Sequence, residues 1–162
     1  MSFNHFDDRG QAIMVDVSAK NPTMRTAIAG AVVTMSHKTL AAITEGGIAK
    51  GDVLGVARLA GIAAAKKTPD LIPLSHPLAI HHVAIEFFVE MEQGRVRIEA
   101  TVRALERTGV EMEAMVAASV AALTVYDMCK GMEKGITIGP VALLFKEGGK
   151  SGTWHHGLPW GE

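Results

Sequence analysis

The clearest pattern of hydrophobic and polar positions is a pair of alternating runs on either side of a short turn. The runs extend from Val83 to Met91 and from Arg95 to Ala104, and Glu92-Gln93-Gly94 separates them. An alternation with a period of two is typical of a strand with one buried and one solvated face. A short Gly-containing connection joins such strands as antiparallel neighbours. The pattern therefore predicts a β-hairpin.

Three stretches predict helices, and they differ in polarity. A short helix begins after Ser36, a good N-cap residue, and ends near Gly46-Gly47. The segment Val53–Lys67, capped by Asp52, is apolar on almost every side. Such a helix is buried in the core or between subunits, and because the chain is short we expect a subunit interface. A long helix, rich in good helix formers, extends from Val110 to about Met132.

The remaining apolar segments predict strands at Ala12–Val17, Arg25–Met35 and Ile136–Lys146, and the proline-rich segment Thr68–Pro77 predicts a loop. From Arg25 onward the elements follow the order β-α-β-β-α-β, which is the ferredoxin-like arrangement. We therefore predict an α+β fold in which helices cover one face of an antiparallel sheet. The expected organisation is a flexible N-terminal arm at residues 1–11, a single domain at residues 12–152 and a C-terminal tail at residues 153–162.

Composition and charge exclude several classes of protein. The chain has 162 residues, of which 48% are hydrophobic and 5% aromatic, so we expect one core of mainly aliphatic side chains. Its net charge is -1, whereas a nucleic-acid-binding protein usually has a basic excess. The single cysteine, Cys129, forms no intrachain disulfide. Because the sequence shows neither a signal peptide nor an apolar run of roughly 18 residues, we expect a cytoplasmic protein that does not bind membranes.

The loop at Asp70–Pro77 presents Ser75 and His76 side by side between two prolines. Rigid loops often carry reactive groups, although a lone histidine is more often structural. Neighbouring Ser and His residues rarely bond to each other in a catalytic triad, and a G-x-S-x-G motif is absent from the sequence, so we do not predict a hydrolase.

The long helix carries two groups of charges. Asp127 and Lys130, three residues apart, are placed to touch, either as a solvated ion pair or as a partly buried pair with perturbed pKa values. Glu113 lies on nearly the same stripe but about 21 Å away along the axis, at 1.5 Å per residue. Glu113 and Asp127 of one chain therefore belong to one site only if the substrate is long or a second subunit intervenes.

The glycine-rich segment Glu147–Gly152 imitates part of a phosphate-binding P-loop. The position of the first required glycine holds Leu144 and no helix is expected to follow, so we reject a P-loop. Two readings remain open, a backbone that approaches a phosphate and a flexible tail, and the pattern alone favours the tail. The paired histidines His81-His82 and His155-His156 do not supply converging ligands, because adjacent strand residues point to opposite faces, and we predict no metal site.

Several motifs in their observed spacing resemble one known family. They are Met14–Ser18, Leu71–Pro77, Thr108–Ala114, Ala121–Lys130 and Gly148–Gly152. Together they are similar to the molybdenum cofactor biosynthesis protein C family, the cyclic pyranopterin monophosphate synthases. The resemblance covers nearly the whole chain, from about Met14 to Gly152.

The resemblance implies a ferredoxin-like subunit of a homohexamer, a trimer of dimers with active sites at the dimer interface. It implies a lyase that converts 3',8-cyclo-7,8-dihydroguanosine triphosphate, made from GTP, to cyclic pyranopterin monophosphate and releases pyrophosphate. It leaves open whether Mg²⁺ accompanies the triphosphate. By motif match, Asp127 and Lys130 are the catalytic residues. The residues expected to bind substrate are Leu74, Ser75, His76, Met112, Glu113, Lys50, Lys146 and Lys150.

Two features depart from the family pattern. The family commonly has cysteine where this chain has Ser75, so we expect no essential thiol there. The tail beyond Gly152, with His155, His156 and Trp160, is longer than expected and has no predicted role. The alternative function is a non-catalytic nucleotide-binding regulatory module of the same fold. An RNA-binding domain is disfavoured by the near-zero net charge and the scarcity of aromatic residues.

Overall fold

A computed structural model describes residues 5–157 and Trp160. Its elements in chain order are β1 (Thr23–Thr34), α1 (His37–Thr44), α2 (Val53–Ala65), α3 (Thr68–Leu71), β2 (His82–Glu90), β3 (Arg95–Glu106), α4 (Glu111–Cys129), β4 (Thr137–Glu147) and β5 (Trp154–His155). The predicted hairpin is confirmed as β2 and β3, with every residue of β2 paired to β3. Both predicted N-caps are also confirmed, because the Ser36 and Asp52 side chains accept backbone N–H bonds from α1 and α2.

The strands form one antiparallel sheet in the order β2-β3-β1-β4-β5. Strand β1 is central, and its residues Ala27, Ala29 and Ala31 are completely buried on the face that packs against the helices. Helix α4 covers this face with five alanines that are also fully buried, so small side chains on both surfaces let helix and sheet approach closely. The predicted α+β, ferredoxin-like fold with helices on one face of an antiparallel sheet is confirmed.

Helix α2 packs beside α4, and Gly61 makes the close contact. A Cβ at this position would lie 3.0 Å from the carbonyl oxygen of Ala117 in α4. The side of α2 that faces away remains apolar, with Val56 42% and Leu59 70% exposed. Apart from Arg58, which donates to the Ile85 carbonyl of β2, the helix is apolar, as its sequence indicates, but only one side is buried within the chain. A subunit interface on the other side remains a prediction.

Among the described residues, α4 is the one helix long and apolar enough to cross a membrane by length and composition. The structure gives another reason for that composition, since 56% of its apolar window is buried inside the protein. α4 packs on the sheet beside α2, and its apolar residues form part of the main cluster of buried side chains.

Two local predictions are wrong. The segment Ala12–Val17 forms no strand, and only Ala12 makes an isolated bridge, to Phe6. Its apolar residues Val15 and Val17 instead line a cavity. A short apolar run has the same sequence pattern whether it pairs as a strand or lines a cavity. The predicted loop after α2 begins with the single helical turn α3, in which Pro69 occupies the first turn, where no N–H donor is needed.

Candidate active site

A cavity of about 860 Å³ lies at the N-terminal end of α4. The loop after α3, the loop after β4, the loop between β3 and α4 and the extended segment before β1 form its other walls. Five of the predicted site residues line it, and these are Ser75, His76, Met112, Glu113 and Lys150. Residues that are distant in the chain therefore converge on one space large enough for a small-molecule ligand.

His76 joins two walls of this cavity. Its Nε2 atom lies 2.7 Å from the carbonyl oxygen of Val15, so the proline-rich loop is linked to the extended segment that was predicted as a strand. The ring nitrogen donates to that carbonyl, which leaves Nδ1 as the acceptor if the ring is neutral. The geometry favours one orientation of the imidazole beside the cavity.

Glu113 is the most unusual titratable group in the cavity wall. Its side chain is buried, only 2% exposed, and Oε1 has no hydrogen-bond partner in the described part of the chain. Burial raises the pKa of this carboxyl to about 7; the hydrogen bond from its own backbone N–H lowers the pKa, and the nearby negative charge of Glu111 raises it. A buried carboxyl that titrates near neutrality and faces a cavity is suited to general acid–base catalysis.

Arg25 supplies an uncompensated positive charge to the same cavity. Its guanidinium donates to the backbone carbonyls of Glu106, Gly148 and Arg107 at 3.2, 3.3 and 3.1 Å, and it forms no ion pair with a carboxylate of the described residues. A guanidinium fixed by carbonyls keeps its full charge for an anionic ligand. Lys20 and Arg107 line the cavity as well.

Sequence reasoning missed Arg25. A usable signal was present, because Arg25 is the only charged residue of β1, whose other residues are small or apolar or threonine. A charge in such a strand needs a structural or functional reason. The bonds to three carbonyls are the structural reason, and the cavity offers the functional one.

The glycine pair in the loop after β4 contacts this arginine. Gly148 and Gly149 have φ values of +106° and +74°, a conformation that favours glycine. A Cβ at Gly149 would overlap the Arg25 guanidinium, so the missing side chain makes room for it. Lys150 follows directly and lines the cavity. The two glycines thus let the loop pack closely against the Arg25 guanidinium, and Lys150 follows them at the cavity.

Lys146 lies at the margin of the cavity and is already paired. Its Nζ atom is 2.6 Å from Oε1 of Glu111, and the two side chains are 25% and 27% exposed. Glu111 lines the cavity in the first turn of α4. Lys146 therefore approaches the cavity through its carboxylate partner.

A second charged cluster lies at the other end of α4. The Asp127 carboxylate forms ion pairs with Lys130 at 2.7 Å and with Lys50 at 3.0 Å. Lys50 also donates to the Asp127 backbone carbonyl at 2.8 Å. The hydrogen bond to Lys130, followed by that to Lys50, lowers the pKa of Asp127, and the same bond to Asp127 raises the pKa of Lys130. Both groups are therefore held in their charged forms.

The predicted contact between Asp127 and Lys130 is confirmed, but the pair is not buried within one chain. Their side chains are 55% and 52% exposed. Glu113 and Asp127 lie fourteen residues apart on α4, about 21 Å along its axis, so one chain does not bring them together. Leu74, which is half-buried, is not among the residues that line the cavity. The predicted site residues thus form two groups at opposite ends of one helix.

Comparison with known proteins agrees with the motifs. A family model described as the MoaC family matches residues 14–149. The chain belongs to the MoaC family. Both groups of charged residues around α4 fall within the matched segment, except Lys150, which follows it directly. The family predicted from the sequence is therefore confirmed.

Curated relatives in the MoaC family are named cyclic pyranopterin monophosphate synthase. The chain is 71% identical over 159 residues to the protein of Geobacter metallireducens, covering 98% of this chain and 99% of that protein. It is 75% identical over 154 residues to that of Geotalea uraniireducens, covering 95% and 96%. The protein of Rhodospirillum rubrum is 59% identical over 150 residues, covering 93% and 90%. The likeness extends over essentially the full length of each relative.

Proposed function

We propose that this chain is a cyclic pyranopterin monophosphate synthase of molybdenum cofactor biosynthesis. It is a lyase that acts on 3',8-cyclo-7,8-dihydroguanosine triphosphate and releases pyrophosphate. The observation that carries the proposal is 71% identity to a synthase of that name over 98% of this chain and 99% of the relative. The cavity adds an independent argument, because its cations Arg25 and Lys150 form no ion pair with the described residues and its buried carboxyl has a pKa raised to about 7.

The cationic side of the cavity suits the triphosphate. Arg25 and Lys150 both line the cavity, and Lys146 reaches its margin. Formation of the cyclic phosphate displaces pyrophosphate, and fixed cations stabilise the charge that develops on this leaving group. We assign binding of the phosphates to these side chains, with Lys50 acting beside Asp127 in the second cluster.

The carboxyl side of the cavity suits the ring system. Rearrangement of the purine-derived rings requires several proton transfers, for which groups that titrate near the working pH are effective. Glu113 has such a pKa, about 7, and its buried Oε1 has no hydrogen-bond partner among the described residues, so we assign it a ring N–H or hydroxyl of the bound substrate. Met112 and the loop Leu74–His76 then contact the same part of the substrate.

Asp127 and Lys130 complete the site from a second subunit in this proposal. Because they lie about 21 Å from Glu113 on one helix, a partner chain has to bring their equivalents to the cavity. The exposed apolar side of α2 is suited to subunit contacts, as expected for a homohexamer built from dimers. Desolvation in such an interface would also move the charged pair toward the pKa range of proton exchange. We place the enzyme in the cytoplasm.

The test is turnover of the enzymatically prepared cyclic nucleotide, read by pyrophosphate release and by pterin fluorescence after oxidation. We expect turnover by the wild type and its loss in Lys130→Ala, with circular dichroism and light scattering unchanged. Binding of the nucleotide without turnover by a folded wild-type oligomer would refute the synthase and support a regulatory nucleotide-binding module. A monomer at the working concentration would refute the shared site.

A further inference from the structure

The end of the chain returns to the sheet as a C-terminal strap, defined as residues 154–157 and Trp160. Trp154 and His155 form β5, paired with Lys146 and Phe145 of β4, and the His156 N–H donates to the Leu144 carbonyl at 2.8 Å. The His155 ring packs on Phe145 at a centroid distance of 4.9 Å. The strap lies beyond residues 14–149, which match the family model, and the proposed reaction gives it no role.

Trp160 anchors the strap on the central strand. Its indole lies over Gly30, where a Cβ would overlap the ring, and it also contacts the His156 ring edge-on at 6.3 Å. Because Ala29 and Ala31 point into the core, Trp160 covers the opposite face of the sheet. Gly30 has no positive φ, so the backbone does not require glycine there. Close approach of the indole is the reason that a side chain is missing.

The strap closes the loop that carries Lys150. Residues 148–153 connect β4 to β5, with Gly148 bonded to Arg25 at one end and the β5 pairing at the other. Two paired residues at a sheet edge are a weak closure by themselves, and a packed indole adds a large apolar contact. Without closure, the loop that carries Lys150 would be held at the Gly148 side only, and Lys150 would sample many positions.

We propose that the C-terminal strap is a positioning element, in which the Trp160–Gly30 contact holds Lys150 at the cavity to bind a phosphate group of the substrate. The role of the phosphate rests on the proposed function. The position of Lys150 does not, and it can be tested with inorganic tripolyphosphate as the probe. When Lys150 is no longer held at the cavity, tripolyphosphate loses one charge-assisted hydrogen bond, which corresponds to about a tenfold weaker affinity.

The experiment uses the full-length oligomer in a Trp154→Phe background, which leaves Trp160 as the only tryptophan of the chain. Gly30→Ala should shift the Trp160 emission to longer wavelength and weaken tripolyphosphate binding about tenfold by calorimetry. Trp160→Ala, which creates space and no clash, should weaken binding equally. In a Lys150→Ala background neither change should weaken binding further. Gly135→Ala, where a Cβ meets nothing within 4 Å and φ is not positive, is the matched control and should leave emission and affinity unchanged.

Turnover separates this proposal from the proposed function. With the cyclic nucleotide, the strap variants should raise KM about tenfold and leave kcat unchanged, as expected for lost binding. An unchanged tripolyphosphate affinity in both strap variants, a further loss in the Lys150→Ala background, or absence of binding by the wild type would overturn the proposal. Tripolyphosphate binding that depends on the strap, without turnover, would sustain it while refuting the synthase.

Discussion

Replacing Glu113 by glutamine should remove a large pH dependence from the free energy of unfolding of the ligand-free protein. Burial raises the pKa of Glu113 from 4.5 to about 7, and unfolding restores the lower value. Between these two pH values the native state binds more protons than the unfolded state, so stability falls as the pH rises. This shift corresponds to about 3 kcal/mol lost between pH values near 4.5 and above 7.

Urea unfolding of the wild type and Glu113→Gln at pH 5 and pH 8, at one protein concentration, measures the effect. Glutamine resembles the protonated carboxyl, so the two proteins should be nearly equally stable at pH 5. At pH 8 the variant should be the more stable by up to about 3 kcal/mol, and its melting temperature roughly 6–12 °C higher. Glu113→Gln should at the same time abolish turnover, because the amide neither gives nor takes a proton.

The matched control is Glu86→Gln, which changes an exposed glutamate on β2 and should follow the wild type at both pH values. A stability difference between Glu113→Gln and the wild type that is the same at pH 5 and pH 8 would refute the reasoning. Such a result would mean that the carboxylate is solvated or paired in the native protein.

Three further predictions follow from other contacts. Glu113→Gln and Asp127→Asn chains that are mixed, unfolded and reassembled should recover about a quarter of wild-type turnover. Half of the dimers then contain one chain of each kind, and each such dimer has one intact site of two. Absence of recovery would place the site within one chain. Glu133→Ala removes an acceptor shared by two hydroxyls and a backbone N–H at the start of α1, and should lower stability by about 1.5–3 kcal/mol at pH 7 in urea unfolding. These bonds lower the pKa of Glu133, so its contribution is present above the ordinary glutamate pKa and should be lost as pH falls through the lower native value; an equal loss at pH 7 and pH 3 would contradict this. Arg25→Lys keeps the charge but cannot bond three carbonyls in one plane, and should raise KM by about tenfold or more; an unchanged KM would mean that Arg25 is structural only.

Local pattern alone was sufficient for much of the fold. The hairpin follows from its period of two, and the starts of α1 and α2 follow from Ser36 and Asp52, because strand faces and helix caps depend on neighbouring residues. The short apolar run at 12–17 predicts a strand but forms none, because its sequence does not reveal whether its apolar side chains pack against a strand or line a cavity. That depends on which distant segment lies opposite.

The candidate site divides in the same way. The motifs identified the residues around α4, and the rise of a helix was enough to separate Glu113 from Asp127. Tertiary structure alone placed Arg25 beside Lys150, buried Glu113 so that its pKa rises to about 7, and left Asp127 exposed and charged. The reason is physical. Helix and strand periods are set by short-range geometry, whereas burial and the charges around a group are set by the long-range contacts of the folded chain.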